Sequence, residues 1–164
     1  KKKVLFICTH NSARSQIAEG LLRAMYGDYY DVYSVGIEPS KVNPYAIKVM
    51  SEIGIDISTQ YSKNIDVFSG IKFDYVITVC NQAKEKCPFF GGGKEYLHCD
   101  FEDPSRFNGN EEQILTSFRN VRNAIKNWIE KTFSKKNKKP LIYQLFSRAN
   151  ELRCGVSVIS IAQF

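Results

Sequence analysis

"VLFICTHNSARSQIAEGLLRAMYG", residues 4–27, sets three unlike pieces end to end. "VLFIC", 4–8, is a continuous apolar run, as expected for a strand buried on both faces. It ends on a cysteine. Five small or polar residues follow, then Arg14 and Ser15. "ARSQIAEGLLRAMYG" then places Ile17, Leu21, Leu22 and Met25 at helical spacing and stops at Gly27. The decisive question is what a loop between a strand-terminal cysteine and a helix-opening arginine can hold.

The same alternation continues along the chain. "DVYSVG", 31–36, reads as a second strand. "NPYAIKVMSEIG", 43–54, reads as a helix capped by Asn43, with Pro44 at its first position and Gly54 at its end. "FDYVITVC", 73–80, is a third buried strand that again ends in a cysteine, and "KEYLHC", 94–99, is a fourth. "NEEQILTSFRNVRNAIKNWIEKTF", 110–133, is a long helix with Ile114, Leu115, Phe118, Val121, Ile125, Trp128 and Ile129 on one face. Strands alternating with helices predict an α/β fold: an open parallel sheet of about four strands with helices on both faces. Such sheets bind ligands beyond the carboxyl ends of their strands. Cys8 and Cys80 both stand at such ends and can share one crevice.

The bulk composition fits this reading. The 164 residues are 43% hydrophobic and 24% charged, which describes a soluble globular chain with a real core. No apolar run nears the roughly 20 residues that span a bilayer, so no membrane partner is expected. The start "KKKVLFIC" is basic then apolar, yet too short for a signal peptide and interrupted by Asn11 and Arg14. Much of the net charge of +6 sits in Lys1, Lys2, Lys3 and "KKNKK", 135–139. Those runs lack interleaved aromatics, so no nucleic-acid partner is expected either. The five cysteines, Cys8, Cys80, Cys87, Cys99 and Cys154, are odd in number and follow no secretory signal. Reduced thiols in a cytoplasmic protein are the expectation, and any disulfide would be transient and chemical. Residues 1–134 form the predicted domain. Residues 135–164 are a linker and a C-terminal extension of unknown role, too apolar for an ordinary disordered tail and expected to pack.

The loop itself suits an oxyanion. A strand-to-helix loop leaves N–H groups free at the helix start, and these donors with the helix dipole favour an anion. Thr9, His10, Asn11, Ser12, Ala13, Arg14 and Ser15 are the predicted oxyanion-binding residues. The small ones let the backbone curl round a tetrahedral anion, and Arg14 offers a planar charged fork. Cys8 would point at the anion's centre as a thiolate of lowered pKa. Ser15 would donate to its sulfur, Asn11 would fix the loop, and His10 would add charge or shape the rim. In "FEDPS", 101–105, Asp103 is placed to supply a proton to a leaving oxygen. Taken singly, these features also fit a buried strand cysteine before an ordinary helix start, and an Asp-Pro turn.

Together, "CTHNSARSQ", "ITVC" with a second cysteine at Cys87, and "FEDPS" resemble the thioredoxin-coupled arsenate reductases, which share the low-molecular-weight protein tyrosine phosphatase fold. "VYSVGIE" and "VNPYAIKVMSEIGIDIS" also look like that family. The resemblance runs from about Val4 to Phe133. It implies catalytic roles for Cys8, Arg14, Cys80, Cys87 and Asp103, arsenate as substrate with phosphate or sulfate as competing anions, thioredoxin as reductant, and no cofactor. It further implies a relay in which Cys8 attacks arsenate, Cys80 attacks Cys8, and Cys87 attacks Cys80. If residues 80–87 were helical, their ends would lie roughly 10 Å apart. A disulfide tolerates about 7 Å at most between Cα atoms. "CNQAKEKC" must therefore reorganise, with the glycines of "FFGGG" as a mobile flank.

Several positions depart from the family pattern. Ala13 stands where many relatives carry a further cysteine. Cys99 stands where they often have tryptophan, which reads as a packing substitution. Some relatives hold a potassium ion through an Asn, a Glu, a Ser and an Asp. Asn11, Glu19 and Ser34 are present here, but Lys63 takes the aspartate position, so no metal is expected and its ammonium would stand in for the cation. Two other readings stay open. One is a phosphatase of the same fold, although Ser105 and Arg106 replace the aromatic pair typical after its Asp-Pro. The other is a non-catalytic oxyanion or redox sensor.

Overall fold

The computed structural model describes residues 1–86 and 90–136. Cys87, Cys154, part of "FFGGG" and its flank, and the extension from 137 onward lie outside the described residues. The strands are β1 (Lys2–Cys8), β2 (Tyr30–Gly36), β3 (Phe73–Thr78) and β4 (Gly93–His98). The helices are α1 (Arg14–Tyr26), α2 (Pro44–Ser51), α3 (Asn81–Lys86) and α4 (Glu111–Phe133). The sheet order is β2-β1-β3-β4 and every pairing is parallel.

The central position of β1 follows from its sequence. Val4, Leu5, Phe6 and Ile7 are each at most 1% exposed. Successive strand residues face opposite sides, so both faces of β1 are covered. α1 packs on β1, β2 and α4, while α3 packs on β1 and β3. α4 opens with a reciprocal cap, Asn110 accepting from the Gln113 N–H and the Gln113 side chain accepting from the Asn110 N–H. It closes with Phe133 fully buried against the rings of Tyr30, Tyr75 and Trp128. Burying one such side chain is worth roughly 1.5–3 kcal/mol. Among the described residues no helix is long and apolar enough to cross a membrane.

Some boundaries differ from the sequence expectation. β3 stops at Thr78, and Val79 and Cys80 continue beyond it, still buried, into α3. α2 stops at Ser51; a turn then carries Gly54 at φ +78°. Ile114 and Trp128 of α4 are only half-buried, and Arg122 is buried beside them because the Val49 carbonyl and Glu52 accept from its guanidinium. Short 3-10 turns at Ile65–Phe68 and Pro104–Arg106 carry no periodic signal long enough to read.

Candidate active site

The loop between β1 and α1 has its carbonyls turned outward and bound. Cys8, Thr9, His10 and Ser12 carbonyls accept from the N–H groups of Ile37, Glu38, Ser40 and Asn43. The Asn11 carbonyl accepts from Gln16 Nε2 and Ser62 Oγ, and the Ala13 carbonyl from the Ile17 N–H. A planar trans peptide points its N–H opposite its carbonyl. The N–H groups of residues 10–13 accordingly have no acceptor among the described residues, and the Thr9 N–H faces the Cys8 sulfur. The segment after β2 thus clamps the loop from outside and leaves a ring of donors on its inner side, which is what a tetrahedral anion requires.

Asn11 sets the curl. Its φ of 48° is left-handed, a conformation that asparagine tolerates better than most residues. Fully buried, it donates through Nδ2 to Ser15 Oγ and Ser34 Oγ, both at 2.8 Å, and accepts from the Lys63 N–H at 2.8 Å. Gly36 pairs with Cys8 across β1 and β2. A Cβ there would meet the Asn11 nitrogen and the Thr9 carbonyl at 2.9 Å, so the loop approaches β2 as closely as only glycine allows.

Cys8 Sγ lies 3.6 Å from Cys80 Sγ, and the two residues are 3% and 2% exposed. The β1–β3 register makes this possible. Ile7 pairs with Thr78, and the Val79 N–H donates to the Ile7 carbonyl, which brings Cys80 alongside Cys8. Cys80 Sγ also lies 3.4 Å from Thr9 Oγ1 and accepts from the Ala83 N–H at 3.4 Å. The hydrogen bond from Cys8, then those from Thr9 and Ala83 with the Arg14 charge, pull the Cys80 thiol down to about 5 against burial. Donating to Cys80, and then burial, push the Cys8 thiol up, with Arg14 opposing. The two thiols are coupled: the hydrogen bonds that Cys80 receives lower it, while donation to Cys80 and burial raise Cys8, opposite to the direction expected of Cys8.

Arg14 opens α1, 9% exposed. Its Nη1 donates to the Phe101 carbonyl at 3.0 Å and its Nη2 lies 3.2 Å from Asp103 Oδ2. Asp103 caps the Pro104–Arg106 turn, accepting from the Ser105 N–H and Oγ. The site therefore gathers Cys8, Cys80, Arg14 and Asp103 around the loop of residues 9–13. Ser15 is buried against Asn11, Ser12 is half-buried, and Ala13 is buried. His10 is exposed with Nδ1 on the Glu38 carbonyl at 3.0 Å, so it shapes the rim. α3 is helical at Asn81–Lys86, and Cys87 lies outside the described residues. Cys99 is half-buried, and burial, then Asp100, push its thiol up.

Gly36, Gln16, Ser62 and the contact of Thr9 with Cys80 went unread in the sequence. Gln16 shares its helix face with Glu19, Gly20 and Arg23, so it carried no signal of its own. The others depend on register.

Lys63 takes the position at which the family pattern has an aspartate, where an ammonium was expected to stand in for a cation. Its Nζ lies 3.7 Å from Glu19 Oε2, donates to the Tyr61 carbonyl at 2.9 Å and rests 4.5 Å above the Tyr61 ring. Arg23 binds the other oxygen of Glu19, and Ser34 Oγ donates to Oε2. One carboxylate already met by two cations does not fit a resident potassium ion. Among the described residues no group of three His, Cys, Asp or Glu side chains is placed to hold a metal.

A parallel sheet, a strand-loop-helix oxyanion cradle with a buried cysteine, an arginine in its wall and an Asp-Pro turn opposite it define a class. The chain belongs to the low molecular weight phosphotyrosine protein phosphatase family, whose model matches residues 3–141. Within that family its likeness is to the arsenate reductases. The arsenate reductase of Halalkalibacterium halodurans is 47% identical over 138 residues, 84% of this chain and 99% of that protein. A solved arsenate reductase in a phosphate-binding state is 37% identical with a TM-score of 0.71, over 82% of this chain and 98% of that one. The thioredoxin-dependent arsenate reductase of Corynebacterium glutamicum is 32% identical with a TM-score of 0.58, over 79% of this chain and 61% of that one.

Proposed function

We propose that this chain reduces arsenate to arsenite and is regenerated by thioredoxin. The observation that carries the reading is the 3.6 Å approach of two buried sulfurs inside an oxyanion cradle. Phosphate-ester hydrolysis needs Cys8, Arg14 and Asp103 but has no use for Cys80.

The loop N–H groups and Arg14 hold arsenate against Cys8, with phosphate and sulfate as competitors of the same shape. The proton between the sulfurs passes to Cys80, and the Cys8 thiolate attacks arsenic. One oxygen leaves as water, with Asp103 supplying a proton. Cys80 then gives its proton to an oxygen of the bound arsenic adduct, and its thiolate attacks Cys8 Sγ. The S–As bond breaks and its electron pair goes to arsenic, which leaves as arsenite. Two thiols have become the Cys8–Cys80 disulfide. The Cys87 thiolate attacks Cys80 Sγ and Cys8 departs as a thiolate. The thioredoxin dithiol finally takes up the Cys80–Cys87 disulfide. The likeness to a thioredoxin-dependent enzyme supports that last step, and reduced thiols suit a cytoplasmic setting.

Thioredoxin-dependent turnover of arsenate, measured beside p-nitrophenyl phosphate hydrolysis, tests the reading. Arsenate turnover should dominate, and Cys87→Ser should accumulate a Cys8–Cys80 disulfide after arsenate. Rapid ester hydrolysis without arsenate turnover would make the chain a phosphatase. Binding without either reaction would make it a sensor.

A further inference from the structure

We infer that Asp100, acting through Asn81, is a positioning residue for the relay: it latches the first turn of α3 and sets how readily the Cys80 segment reorganises. This rests on the relay reading above. Asn81 follows Cys80 directly and opens α3. Its N–H donates to Asp100 Oδ1 at 3.0 Å and its Nδ2 donates to Asp100 Oδ2 at 2.7 Å, so one residue occupies both carboxylate oxygens. Asn81 Oδ1 lies 3.0 Å from His98 Nε2, and His98 Nδ1 lies 2.7 Å from Thr78 Oγ1. The start of α3 is thereby fastened to the end of β4 and the loop after it.

These bonds contribute nothing direct to anion binding. Asp100, His98 and Asn81 are exposed, and none of them bonds to Cys8 or Arg14. They do hold the turn in which the Cys80 carbonyl accepts from the Lys84 N–H and Cys80 Sγ from the Ala83 N–H. A helical segment from 80 to 87 keeps its ends roughly 10 Å apart, beyond disulfide reach. When Cys87 displaces Cys8 from Cys80, one S–S bond replaces another with no net change in oxidation, and this turn must open. The latch belongs to the dithiol form alone and stabilises it against the Cys80–Cys87 disulfide. The same loop continues to the Phe101 carbonyl on Arg14 and to Asp103, which makes anion affinity the natural control.

The test compares the full-length protein with Asp100→Ala, Asp100→Asn, Asn81→Ala and the double Asp100→Ala/Asn81→Ala variant. The readouts are the thiol–disulfide equilibrium with thioredoxin, the phosphate inhibition constant and hydrogen exchange at α3. In Asp100→Ala the Cys80–Cys87 disulfide should be favoured about threefold to tenfold more, a potential roughly 15–30 mV more negative for a two-electron couple. Reduction by thioredoxin should be correspondingly less complete, and α3 amides should exchange faster. Phosphate inhibition should not change. Asp100→Asn, which still offers an oxygen to the Asn81 N–H, should recover part of the shift. The double variant should shift no further than either single one. An unchanged potential in Asp100→Ala, with the relay disulfide forming normally, overturns the latch alone. Failure of the unsubstituted protein to form a Cys80–Cys87 disulfide after arsenate overturns the relay and the latch with it.

Discussion

Lys63 Nζ stands 3.7 Å from Glu19 Oε2, with the two side chains 11% and 6% exposed, and Ser34 and Asn11 link that carboxylate to the anion loop. Burial pulls the Lys63 amine below the ordinary lysine range, and Glu19 opposes this by favouring its charged form. Glu19 is thus met by an ammonium and a guanidinium. Thermal stability and arsenate turnover should be the same in potassium and sodium salts of equal ionic strength. Lys63→Gln leaves Glu19 with Arg23 as its one cation beside the Ser34 hydroxyl and should cost about 1–3 kcal/mol in denaturant unfolding. A potassium-specific stabilisation of the unsubstituted protein would contradict the assignment.

The thiol pair should titrate as a unit. Ultraviolet thiolate absorbance should show a first ionisation with a midpoint near pH 5, apart from the other thiols, the value set at Cys80 chiefly by its bond from Cys8. Cys80→Ser should remove that step. Cys8→Ala, which takes away the donor, should move the Cys80 midpoint up toward the ordinary thiol value. Retention of the pH 5 step in Cys80→Ser would assign the charge to Cys8.

Much of this was legible because strand and helix periods change abruptly at residues 8, 13 and 27. Pro44 after Asn43 and the apolar face of α4 were equally plain, and α4 does start and stop where its pattern does. Cys8, Arg14 and Asp103 could be chosen because each is a chemistry-bearing residue at an element boundary. The 3.6 Å between Cys8 and Cys80 could not be read, since it comes from a cross-strand register 72 residues long in sequence separation. Nor could the lowering of the Cys80 thiol, which depends on Cys8, the Thr9 hydroxyl and the Ala83 N–H meeting one sulfur. Asp100 and Asn81 look like ordinary loop polar residues until β4 and α3 are set side by side.

Glu52 should govern part of the acid sensitivity. Its carboxylate accepts from Arg119 Nε at 2.9 Å and Nη2 at 2.8 Å, and from Arg122 Nη1 at 3.3 Å, joining the end of α2 to α4. The hydrogen bonds from Arg119, more than the charges, hold its pKa below the usual carboxylate value. The unfolded chain therefore binds this proton first as pH falls. The stabilisation is complete above the unfolded value, about 4.3, and is lost as pH falls through the folded one. The side chain is 31% exposed, so solvent screening limits its worth to about 0.5–1 kcal/mol. Glu52→Gln should lose that much at pH 7 and show a shallower fall in stability below about pH 4.5. An unaltered acid limb in urea unfolding would assign the effect to other carboxylates.

Gly36→Ala should damage the anion site more than the fold. The new Cβ would stand 2.9 Å from the Asn11 nitrogen and the Thr9 carbonyl, both backbone atoms that cannot swing aside. The Gly36 N–H also donates to the Lys63 carbonyl at 2.7 Å, so retreat on the β2 side breaks a bond as well. The loop has to yield, and its N–H groups lose their common centre. A cost of about 1–3 kcal/mol in stability is expected from the overpacking, together with a phosphate inhibition constant raised roughly tenfold, as for the loss of one good hydrogen bond to an anion. Gly54→Ala separates the two effects. Nothing lies within 4 Å of a Cβ at Gly54, but its φ of +78° strains an alanine. That variant should lose about 1 kcal/mol and bind phosphate normally. If Gly36→Ala behaved like Gly54→Ala, losing stability while keeping its phosphate affinity, the clamp of β2 on the loop would have no part in forming the oxyanion cradle.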